Sequence, residues 1–495
     1  MTGTIRKQLI TIILGTMAAC PLMGESIEDR EDQKRWLAGD HHVHSEFSVG
    51  YDYDEDPPRP ILGGDAIYPL DTNAKMAKQH GLSWMVGTDH GGPEHSKISL
   101  EQTYPSLLEA RMEVPEVIQF VGLELNSPGG DHSSLIIPHT TDEAWVLHKL
   151  ESGFDTREVY PLDASRNKEE KMIEALAMMR DLTAKPVVIA NHPSRSSREY
   201  GVYGAFDPAE FRRWNDTAPE VAVGMAGAPG HQANYLDTSV FEEFRDWVRG
   251  FFQDGKKIKV KGARGGYVGF PTMGGFDQMT ARTGGFWDSM LGEGRRWWIT
   301  ANSDSHRHHS EGGKDFWPGE YSKTYVFAEK NYDSILEGIR NGHVFVTTGD
   351  LINELHVEVL HHGQSAAIGE EITIPGGSEV TINIRVRDPE LPNFANENPT
   401  VERVDLIAGE VLGRSSDPSI NKNDTTKVIA RFSETDWRKE GEFLLMQHRM
   451  TLDSAHYIRV RGTNTGELEP QMDPPGENPW FDLWFYSNPV FISIE

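Results

Sequence analysis

At 495 residues the chain is long enough to bury a large core and to hold more than one domain. It carries 76 acidic against 48 basic side chains, a formal charge of −28 that repels phosphate backbones and disfavours a nucleic-acid partner. No short-period repeat suggests a solenoid or propeller, and a single cysteine excludes a disulfide within the chain.

The N-terminus reads as a targeting segment. Arg6 and Lys7 form a positive region ahead of an apolar run at 9–19, too short to span a bilayer as a helix. The run ends Met17-Ala18-Ala19-Cys20, which resembles a bacterial lipoprotein signal with Cys20 as the lipidated residue; simple signal-peptidase cleavage is the alternative. We therefore expect a leader at 1–20, a charged tether at 21–36, and an exported protein, periplasmic or an outer-membrane lipoprotein, with secretion as the alternative. A lipid on Cys20 is its one expected membrane contact.

The stretch Asp40-His41-His42-Val43-His44-Ser45 comes next. Side chains alternate faces along a strand, so His42 and His44 point the same way and form half of a metal site. An Asp- and Pro-rich loop follows at 51–60, then a helix to His80 that Asp71 or Thr72 should cap and Gly81 should end. The apolar run at 82–87 terminates in Thr88-Asp89-His90. A helix at about 100–112 leads to a run at 117–123 that delivers Glu124, with His132 just beyond. A helix at about 168–182 precedes 186–190 and Asn191-His192-Pro193. The run at 297–301 ends in Asn302-Ser303-Asp304-Ser305-His306. Helical segments alternating with short β-rich runs predict parallel strands joined by crossover helices. Donor residues at the ends of several such runs fit an α/β barrel, whose active site gathers at the C-terminal ends of its strands.

These motifs resemble the PHP family, the polymerase-and-histidinol-phosphatase metal-dependent phosphoesterases. Asp40-x-His42-x-His44-Ser45, Thr88-Asp89-His90, Gly122-x-Glu124 with His132, Asn191-His192-Pro193 and Ser303-Asp304-Ser305-His306 are similar to its five motifs in order. The resemblance implies a distorted (β/α)7 TIM-like barrel over residues 37–350. Its site would hold two or three divalent ions (Zn, Mn or Fe) on His42, His44, His90, Glu124, His132, His192, Asp304 and His306. One departure stands out: Ser48-Val49-Gly50 occupies the place of the family's Ser-Asp-Gly, so a carboxylate ligand is missing there. Asp52 or Asp54 could reach in from the loop, and two metals are expected rather than three.

Ions so held lower the pKa of a bridging water and clamp phosphoryl oxygens, so attack of metal-bridged hydroxide on a small phosphate mono- or diester is the expected chemistry. Asp304 or His306 could carry protons, and Asp89 is placed to orient ligands. Arg195 and Arg307 are candidate phosphate clamps, with a structural ion pair the equal alternative. His95, His231, His308 and His309 read as solvated, and the Gly-rich segment 262–285 as an inserted loop near the mouth. Trp287, Trp297, Trp298 and Trp317 read as core packing. Beyond 351, alternating runs at 355–359, 380–386 and 457–460 between turn residues predict a C-terminal antiparallel β-sandwich at 351–495, for packing or partner contact. Two other readings stay open: a metallohydrolase of another ester or amide, and a non-catalytic surface binding protein with metal kept for stability.

Overall fold

Strand β1 (Arg35–Val43) has both faces buried from Leu37 onward, and the molecule is assembled around it. It runs antiparallel to β10 (Ser322–Ala328) and parallel to β4 (Trp84–Gly87). At Gly39, opposite Trp84, a Cβ would sit 1.9 Å from the indole ring, so only glycine allows this close pairing. The computed structural model describes residues 33–230, 267, 270–473 and 478–495. The expected leader, Cys20 and His231 lie outside the described residues, whereas the last two residues of the expected tether, Arg35 and Trp36, already belong to β1.

From one edge the main sheet runs β9 (Trp298–Ala301), β8 (Ala222–Ala228), β7 (Val187–Ala190), β6 (His132–Ile136), β5 (Ile118–Asn126), β4, β1, β10 and β11 (Val344–Thr348). It continues through β21 (Trp484–Ser487), β20 (His456–Thr463), β22 (Val490–Ile494) and β14 (Glu371–Ile374). With β16 (Arg403–Glu410) on β20, and β17 (Lys427–Phe432) on β16, it counts fifteen strands. The pairs β1–β4, β4–β5, β7–β8 and β8–β9 are parallel, while β6 is antiparallel to both its neighbours. The edge strand β9 lies beside β10 through side-chain bonds. Ala301 N–H donates to Thr324 Oγ1 at 2.8 Å, and the Thr324 hydroxyl donates to Ala301 O at 2.6 Å.

Helices connect the strands of the first part: Leu70–Gln79 before β4, Tyr104–Glu113 before β5, Glu143–Phe154 and Glu169–Arg180 before β7, Pro208–Thr217 before β8, and Tyr332–Arg340 before β11. The periodic segments are close to those expected, with one correction at an end. The first helix opens on Pro69, and Asp71, the expected cap, instead pairs with Lys75 at 2.6 Å. Trp287, Trp297 and Trp298 are buried in the core; Trp317 is half-buried.

A second, antiparallel sheet of five strands is ordered β13 (Gln364–Ala367), β12 (Glu354–His361), β15 (Ser378–Arg387), β19 (Phe443–Leu452) and β18 (Arg438–Glu440). Its alternation is clean: Leu355, Val357 and Val359 of β12 are buried while His356 and Glu358 are half-exposed. Each inward side chain contributes about 1.5–3 kcal/mol by leaving water. These residues share one apolar cluster with Leu406, Ile458 and Val460 of the main sheet. Strands from beyond residue 351 thus both extend the main sheet, Phe345 pairing with Ser487, and face it with a second layer. The protein is mixed α/β, with a central sheet of parallel and antiparallel pairs and a further antiparallel sheet.

Candidate metal centre

The ends of β1, β4, β5, β7 and β9, and the start of β6, meet in one place. His42 ends β1 with Val43, and His44 follows; their Nε2 atoms lie 3.0 Å apart, as two-residue alternation anticipates. Glu124, in β5, is the hub. Its Oε1 lies 3.1 Å from His42 Nε2, 3.1 Å from His192 Nε2 and 3.3 Å from His132 Nδ1. Its Oε2 lies 3.1 Å from His90 Nε2 and 3.4 Å from His44 Nε2. Asp304, from the loop after β9, completes the inner group, with Oδ1 at 3.1 Å from His42 Nε2 and 3.2 Å from His44 Nε2. His306 stacks on His44 with ring centroids 3.9 Å apart. All eight residues expected as ligands come together.

A ninth donor was not anticipated. Asp65 Oδ2 lies 3.0 Å from His306 Nε2, 3.8 Å from His44 Nδ1 and 3.9 Å from His90 Nε2. It supplies a carboxylate close to where Val49 has none. Neither expected substitute does so: Asp52 pairs with Arg59 at 3.3 Å, and Asp54 is exposed. The chain makes the hairpin β2 (Val49–Asp52) and β3 (Arg59–Leu62), then returns through Gly63 at φ +69°. Ser48 ties the start of the detour to its end, donating to Asp65 Oδ2 at 2.9 Å while it contacts His44 Nδ1 at 3.1 Å. The one sequence signal was an Asp behind a Gly-Gly pair, seventeen residues from Ser48, and a local motif does not extend that far.

Three groups of donor atoms overlap here: His44 with Asp65, His90 and His306; His42 with His44, Glu124 and Asp304; and His90 with Glu124 and His132. Each could hold a metal ion. Mixed imidazole and carboxylate donors suit Zn, Mn or Fe. The donor chemistry fits such an occupant, because ligand imidazoles must be neutral and ligand carboxylates ionised. Burial drives His90 well below its ordinary pKa and, with the Arg195 charge, brings His192 down to about 4. Burial opposes charge on His42 and His306 too, but Asp304 and Glu124 raise the first and Asp65 and Asp304 hold the second well above its ordinary value, shifts that the charge of a bound cation would oppose. Burial alone would raise Glu124, yet the imidazoles around it, His42 first, hold its carboxyl well below the usual range. Buried Nδ1 atoms of His42, His90 and His192 make no hydrogen bond.

A surrounding layer holds these donors. Asp40 accepts His42 N–H through Oδ1 and Ser303 N–H through Oδ2, both at 3.0 Å, binding two donor segments together; burial lifts its pKa to about 6. Asp89 accepts the N–H of Ser45 and, at 2.7 Å, its hydroxyl, so it fixes the turn after His44 rather than touching a donor ring. Asn191 Nδ2 donates to Glu124 Oε1 at 3.0 Å. Asp277, within the Gly-rich segment, accepts Ser194 N–H at 2.9 Å and so braces the His192 turn from behind. Two donors sit on left-handed backbone unusual for residues with a Cβ, His192 at φ +29° and Asp304 at φ +49°, a strain found mostly at functional sites.

The cluster opens on a cavity of about 330 Å³, lined by Asp65, His90, Glu124, His192, Asp304 and His306 together with Asp315 and the cations Arg195, Arg307 and Lys314. Lys314 is a cation that sequence reasoning overlooked. Arg195 also lines an adjacent cavity of about 460 Å³ with Asp131, Arg157 and Asn167. Its fork is bound by Asp131 at 3.0 and 2.7 Å, so the ion-pair alternative holds while the residue still faces both cavities. Two histidines expected in solvent are not there. His95 is fully buried between Glu151 at 2.6 Å and Phe47 O at 2.9 Å, and His308 is buried against Glu320. A scan of protein-family models finds no match for this chain, and neither does a comparison with curated proteins.

Proposed function

We propose that this chain is a metal-dependent phosphoesterase acting on small phosphate mono- or diesters. The observation that carries the reading is the sharing of His44, His90 and Glu124 among three donor groups, since shared donors hold ions as a close pair. A purely structural zinc site is usually closed, tetrahedral and mononuclear, whereas these donors line an open cavity. Two divalent ions there, Zn, Mn or Fe, would lower the pKa of a water and polarise phosphoryl oxygens.

The protein's own residues supply the rest. Arg307 and Lys314 line the same cavity as the donors, where their charge would steady a phosphoryl group, and Arg195 lines both cavities. The second cavity is the natural place for the leaving group. His306 and Asp304 line the cavity, and either would carry a proton to the leaving group where it is not engaged as a metal ligand. The net charge of −28 argues for a small ester over a nucleic acid. For the scaffold we propose a distorted (β/α)7 barrel over 37–350, supported by donors at strand ends and by the Ala301–Thr324 bonds that bring β9 beside β10. The strands beyond 351, which extend the main sheet and face it with a second layer, would buttress that barrel.

The test is metal analysis of the purified protein beside hydrolysis of p-nitrophenyl phosphate and bis-p-nitrophenyl phosphate, with His42→Ala and Asp304→Ala in parallel. Turnover should follow metal content and disappear in both variants. Bound metal without turnover on either substrate would reject the phosphoester reading.

A further inference from the structure

A separate cluster of metal-type donors lies in the loop that follows Asp304 and His306. His308, His309 and Glu320 place one donor atom each within 4.8 Å of one another. His308 Nε2 is 2.9 Å from Glu320 Oε2, and His309 Nε2 is 3.9 Å from Glu320 Oε1. Two donors at ~2.05 Å on a tetrahedral zinc lie roughly 3.3 Å apart, between these two distances, so small side-chain rotations would bring the donors to a common ion.

We propose that His308, His309 and Glu320 form a zinc site distinct from the candidate catalytic centre, completed by a water, which braces the wall of the cavity. Two imidazoles with one carboxylate are a zinc-type set rather than one for calcium or magnesium. His308 Nδ1 accepts Ser310 N–H at 3.3 Å and lies 2.7 Å from Ser310 Oγ, so the loop fixes this ring with Nε2 towards Glu320. The ring is further held by Trp317, stacked at 5.1 Å with planes 13° apart. An entry path exists, because the His309 side chain keeps 24% of its surface in solvent while those of His308 and Glu320 keep 9% and 12%.

The place of the cluster defines what an ion there would do. His308 N–H donates to Tyr68 Oη at 3.1 Å, and that hydroxyl donates to Glu311 Oε2 at 2.7 Å. The same loop carries Arg307, Gly312, Gly313 and Lys314 into the cavity. Zinc joining residues 308, 309 and 320 closes this loop at its base and holds Arg307 and Lys314 where a phosphoryl group would meet them.

The experiment counts zinc by equilibrium dialysis of the chelator-stripped full chain at micromolar free zinc. It compares wild type with His309→Ala and with Glu320→Gln, which keeps the shape and an acceptor for Trp317 N–H. Far-UV circular dichroism verifies the fold of each variant. Both variants should bind one zinc fewer per chain than wild type, and zinc should raise the melting temperature less in them. A folded His309→Ala or Glu320→Gln that binds as many zinc ions as wild type overturns the proposal. His42→Ala serves as reference: ions lost there belong to the other centre, so the two sites are scored separately.

Discussion

Replacing Asp288 by alanine should cost this protein about 5 kcal/mol. Asp288 lies on the helix Phe286–Gly292 and is 1% exposed; its partner Arg459, in β20, is 0% exposed. Asp288 accepts from Arg459 Nε at 2.9 Å and from an Arg459 Nη at 2.7 Å, and the guanidinium also lies 4.8 Å over the Trp287 ring. The same carboxylate accepts Tyr457 Oη–H at 3.0 Å and Gly284 N–H at 2.7 Å. Alanine leaves a buried cation without its counter-ion, which costs about 3–5 kcal/mol. Two neutral donors losing an acceptor add about 1 kcal/mol each, less than additively. Against a typical total of about 5–15 kcal/mol, that removes a large share of the stability. Urea unfolding followed by circular dichroism measures it as a fall in midpoint. Asp288→Leu combined with Arg459→Met should recover most of the loss, because the desolvated charges leave together. A cost below about 1 kcal/mol for Asp288→Ala, or a double variant no better than the single one, would refute the argument that charge burial dominates here.

Three further outcomes are expected. Asp65→Asn should lower metal retention against a competing chelator at least about 100-fold, while Asp54→Asn leaves it unchanged; equal retention in both would remove Asp65 from the centre. Glu210 is buried, with Oε1 making no hydrogen bond, and burial followed by the Glu169 charge raises its pKa to about 8. Its destabilising effect therefore grows as pH rises from the unfolded value of 4.5 to about 8, and Glu210→Gln should be more stable than wild type at pH 9 by on the order of 3 kcal/mol, read as a melting-temperature difference that vanishes at pH 4. His95 is raised to about 9: burial opposes its charge, but Glu151 and then Asp89 outweigh it. The stability it contributes is complete below about 6.5 and is lost as pH rises through about 9, so Glu151→Gln should flatten the stability profile across that window.

The candidate centre was largely legible because its donors sit at or beside strand ends. A strand of buried side chains must surface where its hydrogen-bond ladder stops, and a polar residue there, as at His90 and His192, shows against an apolar run. His95 and His308 gave no such sign. Whether a histidine is solvated or paired depends on what packs over it, here Glu151 and Glu320, which lie 56 and 12 residues away. In the structure the helix Tyr332–Arg340 is capped by Asn331, which accepts Ser334 N–H at 2.8 Å. The cap expected from Asp71 failed because the helix already begins at Leu70, after Pro69, and places Asp71 in its first turn.

What the sequence alone determined is therefore local. It set the apolar period of each strand and helix, the closing donors His42, His90, Glu124, His192 and Asp304, and the change to alternating β-pattern after residue 351. Tertiary structure decided whatever depends on chain return. It brought Asp65 back past a hairpin to His306, bound Arg195 to Asp131, and carried the sheet from β11 across to β21, 136 residues later from Thr348 to Trp484. The physical reason is that backbone period is set by neighbours a few residues apart. Contacts between distant segments arise only when burial of many side chains together offsets the entropy of closing the loops between them.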